Sequence, residues 1–126
     1  MTQSIVVVED DQNIAELLGF LLRREGFEPQ LLGDGRAAER YVATHAPAAA
    51  VVLDIMLPYR DGFAVAAAMR ADLRWNAVPI LMLTSRALPA DLKQGRSLGV
   101  RHFVPKPFHP RELVSRIRGM VTAGPG

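Results

Sequence analysis

The sequence contains no cysteine, and aromatic residues make up only 6% of its 126 positions. Without cysteine the protein has no disulfides, no thiolate metal ligands and no thiol nucleophile. Long hydrophobic runs are missing as well: the longest, at residues 5–8, 48–53 and 78–83, fall far short of the roughly 18 residues that a membrane span requires. No basic stretch precedes the first apolar run, so we expect no secretory signal, no membrane segment and a cytoplasmic location.

The overall composition is that of one ordinary globular domain, with 49% hydrophobic and 22% charged residues. The net charge of +2 is distributed unevenly. Residues 1–62 hold 5 basic and 10 acidic residues, a net of −5, whereas residues 63–126 hold 10 basic and 3 acidic residues, a net of +7. Most of the cations are arginines scattered over several segments, which favours solvated surfaces over a nucleic-acid interface.

Short apolar runs alternate with helical patterns five times along the chain. The runs that predict strands are residues 5–8, 31–32, 48–53, 79–83 and 102–104. Between them, apolar residues recur at the helical spacing, Gly26 and Gly99 stand where helices should end, and Pro89 suits a first helical turn. Five consecutive units of this kind require parallel strands with helices on both faces. The pattern therefore predicts a doubly wound α/β domain.

Chemically active side chains follow four of the five predicted strands. Glu9 and Asp10 come after the first, Asp54 after the third, Thr84 after the fourth and Lys106 after the fifth. In doubly wound sheets, ligands bind at the carboxyl ends of the strands. Clustered carboxylates repel one another unless a cation is present, and ligands that are all oxygen favour Mg²⁺. Beside such an ion Asp54 is a candidate nucleophile toward phosphorus, with a hydroxyl and an amine to bind the phosphoryl oxygens.

Four segments resemble the receiver domains of two-component response regulators. They are VVVEDD at 6–11, VVLDIMLPYRDGF at 51–63, PILMLTS at 79–85 and FVPKPF at 103–108. The resemblance covers essentially the whole chain. It implies a flavodoxin-like, five-stranded parallel sheet of order 2-1-3-4-5 with five helices. It also implies a receiver domain over residues 1–122, which leaves 123–126 as a disordered tail.

The resemblance implies a phosphoryl acceptor and a metal site. Asp54 would accept the phosphoryl group from a sensor histidine kinase or a histidine phosphotransfer protein. Glu9 and Asp10 would hold Mg²⁺ together with Asp54 and the backbone carbonyl of Met56. Such a chain is not an enzyme in the ordinary sense, because it modifies its own aspartate and loses the phosphate slowly by self-hydrolysis.

The resemblance further implies a switch. Thr84 and Lys106 would bind the phosphoryl oxygens, and the Thr84 hydroxyl would move toward the phosphate as Phe103 turns inward. Phe103 has no hydroxyl to favour solvent, so we expect its inward state to be well populated before phosphorylation. Simple core packing is an equally good interpretation of an aromatic residue in a strand. Pro107 matches a position that is a cis-proline in the family.

The surface expected to change lies on the fourth helix, the fifth strand and the fifth helix. Many transcriptional members carry two acidic residues before the fifth-strand aromatic, where this sequence has Arg101 and His102. With Lys93 and Arg116 nearby in the predicted fold, this charge reversal disfavours symmetric pairing and favours an acidic partner. The partner is an unidentified downstream protein or an effector domain outside this sequence, and we expect no direct contact with nucleic acid or membrane. Gly95 weakens the fourth helix.

Four other functions are open to a chain of this pattern. A phosphatase with an aspartyl-phosphate intermediate needs a second carboxylate two residues after the nucleophile, where this sequence has Met56. A flavin-binding domain needs a phosphate loop where Glu9, Asp10 and Asp11 stand. A nucleic-acid module lacks a recognisable motif, and a receiver used only for docking would not need every phosphorylation residue.

Three further positions carry expectations. Met56 and Arg86, each two residues beyond a site residue, resemble positions that set how long the phosphate survives attack by water. Trp75 is expected in a loop, with its indole partly buried.

Overall fold

The computed structural model describes residues 2–85 and 88–123. Strands and helices alternate in the order β1 (Ser4–Val8), α1 (Gln12–Arg24), β2 (Glu28–Leu32), α2 (Gly35–Thr44), β3 (Ala50–Asp54), α3 (Gly62–Ala71), β4 (Ile80–Thr84), α4 (Pro89–Ser97), β5 (His102–Pro105) and α5 (Pro110–Ala123). The strands form one parallel sheet in the order β2-β1-β3-β4-β5. This confirms the predicted doubly wound architecture and strand order.

The central strands are buried on both faces, as their unbroken apolar runs predict. Every residue of β3 and of β4 is buried. The register pairs Val8 with Leu53 and Asp54 with Leu83, so β1, β3 and β4 end at the same edge of the sheet. The edge strand β2 begins at Glu28, earlier than its short apolar run predicts. An edge position tolerates the proline at residue 29 of this strand.

Helices cover both faces of the sheet and form two core clusters. On one face α1 and α5 contribute side chains such as Leu18 and Ile117, and on the other α2 and α3 contribute Val42 and Met69. Trp75 belongs to the second cluster and is 0% exposed, so the expectation of a partly buried indole is wrong. The loop after α3 packs the indole beneath the end of α2, where its Nε1–H donates to the His45 carbonyl at 3.2 Å.

Local residues set the start of α1 and the ends of α1 and α4. The Asp11 carboxylate accepts hydrogen bonds from the backbone N–H groups of Asn13 at 3.0 Å and Ile14 at 3.2 Å, which caps α1. Gly26 after α1 has φ +89° and Gly99 after α4 has φ +78°, the left-handed conformation that ends a helix.

The C-terminal helix reaches Ala123, and residues 124–126 of the predicted tail lie outside the described residues, as does Arg86. Within the described ranges, no helix combines the length and the apolar character that spanning a membrane requires.

Candidate functional site

Asp54, the last residue of β3, carries a carboxylate that is only 5% exposed. Its Oδ1 accepts the backbone N–H of Met56 at 3.1 Å, and its Oδ2 accepts Nζ of Lys106 at 2.6 Å. The start of α3 packs directly against this strand end. A Cβ at Gly62 would lie 2.4 Å from the Asp54 carbonyl oxygen, so only glycine allows this approach. The Met56 N–H and the Lys106 ammonium therefore hold the two carboxylate oxygens in one orientation.

Glu9 and Asp10 follow β1 on the neighbouring side of Asp54. The Glu9 side chain is 0% exposed, and it accepts Nζ of Lys106 at 2.6 Å and the backbone N–H of Asp11 at 3.1 Å. Asp10 is exposed. Each of Glu9, Asp10 and Asp54 offers a carboxylate oxygen, and these oxygens all lie within 4.8 Å of one another. The predicted cluster of three carboxylates is therefore formed by the fold.

Lys106 joins the carboxylates of two different strands. Its ammonium lies between Glu9 and Asp54, which precede it in the chain by 97 and 52 residues. The residue is fixed from its backbone as well, because its N–H donates to the Thr84 carbonyl at 2.7 Å. The Lys106–Pro107 peptide bond is cis, as the resemblance implies.

Burial and neighbouring charges shift the pKa values of Glu9 and Lys106. The pKa of Glu9 is raised to about 7: burial is the largest cause, the hydrogen bond from Lys106 opposes it, and the Asp54 carboxylate adds to the rise. Burial alone would lower the pKa of Lys106, but its hydrogen bonds to Asp54 and Glu9, with their charges, raise it above its ordinary value. The ammonium therefore stays protonated at neutral pH.

The donor set fits a hard divalent cation. All donors are carboxylate oxygens, and an octahedral Mg²⁺ needs ligand oxygens within about 4.2 Å of one another, close to the observed spread. One ammonium neutralises only one of the three carboxylates when all are ionised. The cluster of Glu9, Asp10 and Asp54 is therefore suited to bind a metal ion.

Thr84 and Met56 lie at the same edge of the sheet. Thr84 is the last residue of β4, and its side chain is buried. Its neighbour Leu83 is paired with Asp54, so the threonine lies one residue beyond the carboxylate on the adjacent strand. The Met56 side chain is 59% exposed, whereas its backbone N–H is bound to Asp54.

Phe103 packs beneath α4. It is paired with Met82 in the sheet, half-buried, and in contact with the core cluster on that face. A Cβ on Gly95 of α4 would lie 2.7 Å from two atoms of the Phe103 ring. The ring therefore lies against the helix backbone, and Gly95 provides the space for it.

Sequence reasoning missed the packing roles of Gly62 and Gly95. Both residues are glycines beside or inside predicted helices. A glycine in such a position often marks a close approach of the backbone to another segment. What each glycine faces is set by residues that are distant in the chain.

Comparison with known proteins gives a consistent result. The family model described as the response regulator receiver domain matches residues 5–118. The DNA-binding response regulator MtrA of Mycolicibacterium smegmatis is 43% identical over 118 residues, which cover 94% of this chain and 50% of that protein. The sensory transduction protein RegX3 of the same species is 40% identical over 121 residues, covering 96% and 51%. The chain spans about half the length of these curated relatives.

Solved structures show the same fold. The receiver domain of the sensor histidine kinase PA1611 from Pseudomonas aeruginosa, described with a magnesium ion in its active-site cleft, aligns with a TM-score of 0.85, 29% identity and coverage of 97% of this chain and 99% of that one. The chemotaxis response regulator CheY4 of Vibrio cholerae aligns with a TM-score of 0.88, 25% identity and coverage of 95% and 99%.

Proposed function

The chain belongs to the response regulator receiver domain family, and from that premise we propose that Asp54 is its phosphoryl acceptor. Receiver domains of response regulators interact with histidine kinases, so the proposed donor is a phosphohistidine on a sensor kinase or a histidine phosphotransfer protein. One observation carries the proposal. The buried Asp54 carboxylate lies between the Lys106 ammonium and the Met56 N–H, beside two further carboxylates at the open edge of the sheet.

The proposed reaction joins an Asp54 oxygen to phosphorus as the bond between phosphorus and the donor imidazole nitrogen breaks, which leaves an acyl phosphate. Lys106 offsets the charge of the phosphoryl oxygens, and the Met56 N–H keeps the carboxylate oriented. Glu9, Asp10 and Asp54, with the Met56 carbonyl, are the proposed ligands of Mg²⁺, which when bound supplies further positive charge to the phosphoryl group.

Two further steps belong to the same proposal. Thr84 reorients toward the phosphate, and Phe103 responds to it beneath α4. The phosphate is then lost slowly to water. The position two residues after Asp54 is the exposed, apolar Met56, which offers no second carboxylate for turnover of external substrates.

The proposed output surface consists of α4, β5, α5 and the preceding Arg101. Its exposed cations include Lys93, Arg96, Arg101 and Arg116, whereas α4, β5 and α5 contain only two acidic residues among those described, Asp91 and Glu112. Burial lowers the pKa of His102, and the nearby positive charges of Arg116 and Arg101 lower it as well. Two copies paired through this surface would place like charges together, so the proposed partner presents an acidic surface.

MtrA is a DNA-binding response regulator about twice as long as this chain. We propose that any such activity belongs to a segment outside this sequence. A cytoplasmic location and the absence of direct nucleic-acid and membrane contacts stay predictions.

The proposal is tested by incubating the protein with acetyl phosphate and reading its intact mass. The native chain is expected to gain one phosphoryl group with Mg²⁺ and none with EDTA. Asp54→Asn should gain none, while Asp61→Asn, which changes an exposed carboxylate that caps α3, should behave like the native chain. An adduct on Asp54→Asn, or no adduct on the native chain, would contradict the proposal.

A further inference from the structure

Arg70, in the last turn of α3, binds the C-terminal end of α4. Its Nε donates to the Leu98 carbonyl at 2.7 Å and its Nη2 to the Gly99 carbonyl at 3.4 Å. Its Nη1 donates to the carbonyls of Val78 at 2.8 Å and Asn76 at 3.0 Å, in the loop that leads to β4. One half-buried guanidinium therefore joins α3, α4 and this loop, and burial lowers its pKa.

The end of α4 is shaped to receive this side chain. Carbonyls at a helix C-terminus have no partner within the helix, and hydrogen bonds from a charged donor are stronger than neutral ones. Gly99 turns the chain at φ +78°, and a Cβ there would lie 3.1 Å from Nε of Arg70. Glycine therefore both ends the helix and leaves room for the guanidinium.

The rest of α4 buries few residues. Of its nine residues only Gly95 is buried, and its N-cap, Leu88, makes no side-chain capping hydrogen bond. In contrast, α1 buries four residues and is capped by Asp11. The N-terminal end of α4 follows the carboxyl end of β4, which carries Thr84. The C-terminal end of α4 contacts Arg70 at the other end of the strands, where their amino ends lie.

We propose that Arg70 is a positioning residue that fixes the C-terminal end of α4, so that phosphorylation of Asp54 moves the N-terminal end of the helix about this fixed point. The inference rests on the proposed function. It adds that Arg70 is an anchor at the amino ends of the strands, away from the phosphorylation site. This anchor determines which part of the output surface responds.

Arg74, in the turn that follows α3, provides a matched control. Its Nη1 donates to the His45 carbonyl at 3.1 Å, and its Nη2 donates to the Val42 carbonyl at 2.8 Å and to the Asp72 carboxylate at 3.1 Å. It therefore holds the C-terminal end of α2 by the same chemistry. Arg74→Gln removes comparable hydrogen bonds without touching α4.

The test is hydrogen–deuterium exchange of the native chain, Arg70→Gln and Arg74→Gln, each with Mg²⁺ alone and with Mg²⁺ plus beryllofluoride, a phosphoryl mimic. In the native chain, beryllofluoride should change exchange in residues 88–94 and leave 97–101, which surround the carbonyls bound by Arg70, unchanged. In Arg70→Gln, residues 97–101 should exchange about tenfold faster at rest, and the response to beryllofluoride should extend into them. Arg74→Gln should loosen residues 42–46 and keep the native pattern in α4.

Two results would overturn the anchor: a native response as large in residues 97–101 as in 88–94, or the same α4 pattern in Arg70→Gln and Arg74→Gln. Arg70→Lys keeps the charge but not the forked donors, so it should show the faster exchange and the extended response in residues 97–101 at smaller amplitude. It takes the place of Arg70→Gln in the test if the glutamine variant does not fold. The mass measurement with acetyl phosphate separates the two claims. A native chain without an adduct contradicts the proposed function itself, whereas an adduct with the wrong α4 pattern contradicts only the role of Arg70.

Discussion

The Lys106 ammonium supplies positive charge to two carboxylates of the site. Its ammonium is 2.6 Å from the carboxylates of both Glu9 and Asp54, and those two side chains are almost wholly buried. An ion pair in such surroundings contributes little net stability, but removing one partner leaves uncompensated buried charge. The site is therefore sensitive to the loss of this one cation.

We expect Lys106→Met to lower the free energy of unfolding of the metal-free protein by about 3 kcal/mol at pH 8. The loss should shrink at pH 5, below the raised pKa of Glu9, where that carboxyl group is protonated and needs no cation. Lys93→Met, which changes the other lysine at an exposed position of α4, should stay within about 0.5 kcal/mol of the native value. Urea unfolding at the two pH values measures all three chains, and equal losses in the two variants would disprove the expectation.

The pKa of Glu9 predicts how the stability of the metal-free protein depends on pH. It is raised from its usual 4.5 to about 7 in the folded chain, so the folded state binds more protons than the unfolded state between these values. The stability that this group contributes is fully present below about pH 4.5 and is lost as the pH rises through about 7. Glu9→Gln should remove this part of the decline in a series of urea titrations. A variant that declines as steeply as the native chain would show that another group is responsible.

At the scale of elements, prediction from the sequence is most accurate where a local residue pattern alone determines the structure. The apolar runs of β1, β3 and β4 and the glycines that end α1 and α4 were all predicted correctly. Trp75 and the full length of β2 were not, because their burial and pairing depend on distant segments. The same holds for Arg70 and Arg74, whose partners are carbonyls that no residue pattern distinguishes.

Gly95 allows a prediction about α4. In a free helix Gly→Ala stabilises by about 1 kcal/mol, but the new methyl group would meet the Phe103 ring. We expect Gly95→Ala to lower the free energy of unfolding by about 1 kcal/mol, because overpacking outweighs helix propensity. Gly119→Ala in α5, where a Cβ meets nothing within 4 Å, should raise it.

A double-mutant cycle identifies the cause. In a Phe103→Ala background, Gly95→Ala should become stabilising, as Gly119→Ala is. If Gly95→Ala destabilises equally with and without the aromatic ring, contact with Phe103 is not the reason.

At the scale of the whole molecule, the site exists only because the fold brings three strand ends together. Glu9, Asp54 and Lys106 lie far apart in the chain, and the parallel register places them at one edge. Their identities and the edge they share could be predicted, because strand ends in a doubly wound sheet converge by topology. The position of the Lys106 ammonium between the two carboxylates could not be predicted. It depends on the side-chain geometry that places Nζ 2.6 Å from an oxygen of each.

The most direct test of this account is to locate the phosphate chemically. Borohydride reduces an acyl phosphate to an alcohol, which turns a phosphorylated aspartate into homoserine that peptide mass spectrometry can locate. After acetyl phosphate and Mg²⁺, we predict homoserine at position 54 in the folded protein and at no position in the chain unfolded in urea. Homoserine at position 10 or 61, or equal labelling of the folded and unfolded chains, would contradict the claim that the folded edge of the sheet makes Asp54 the acceptor.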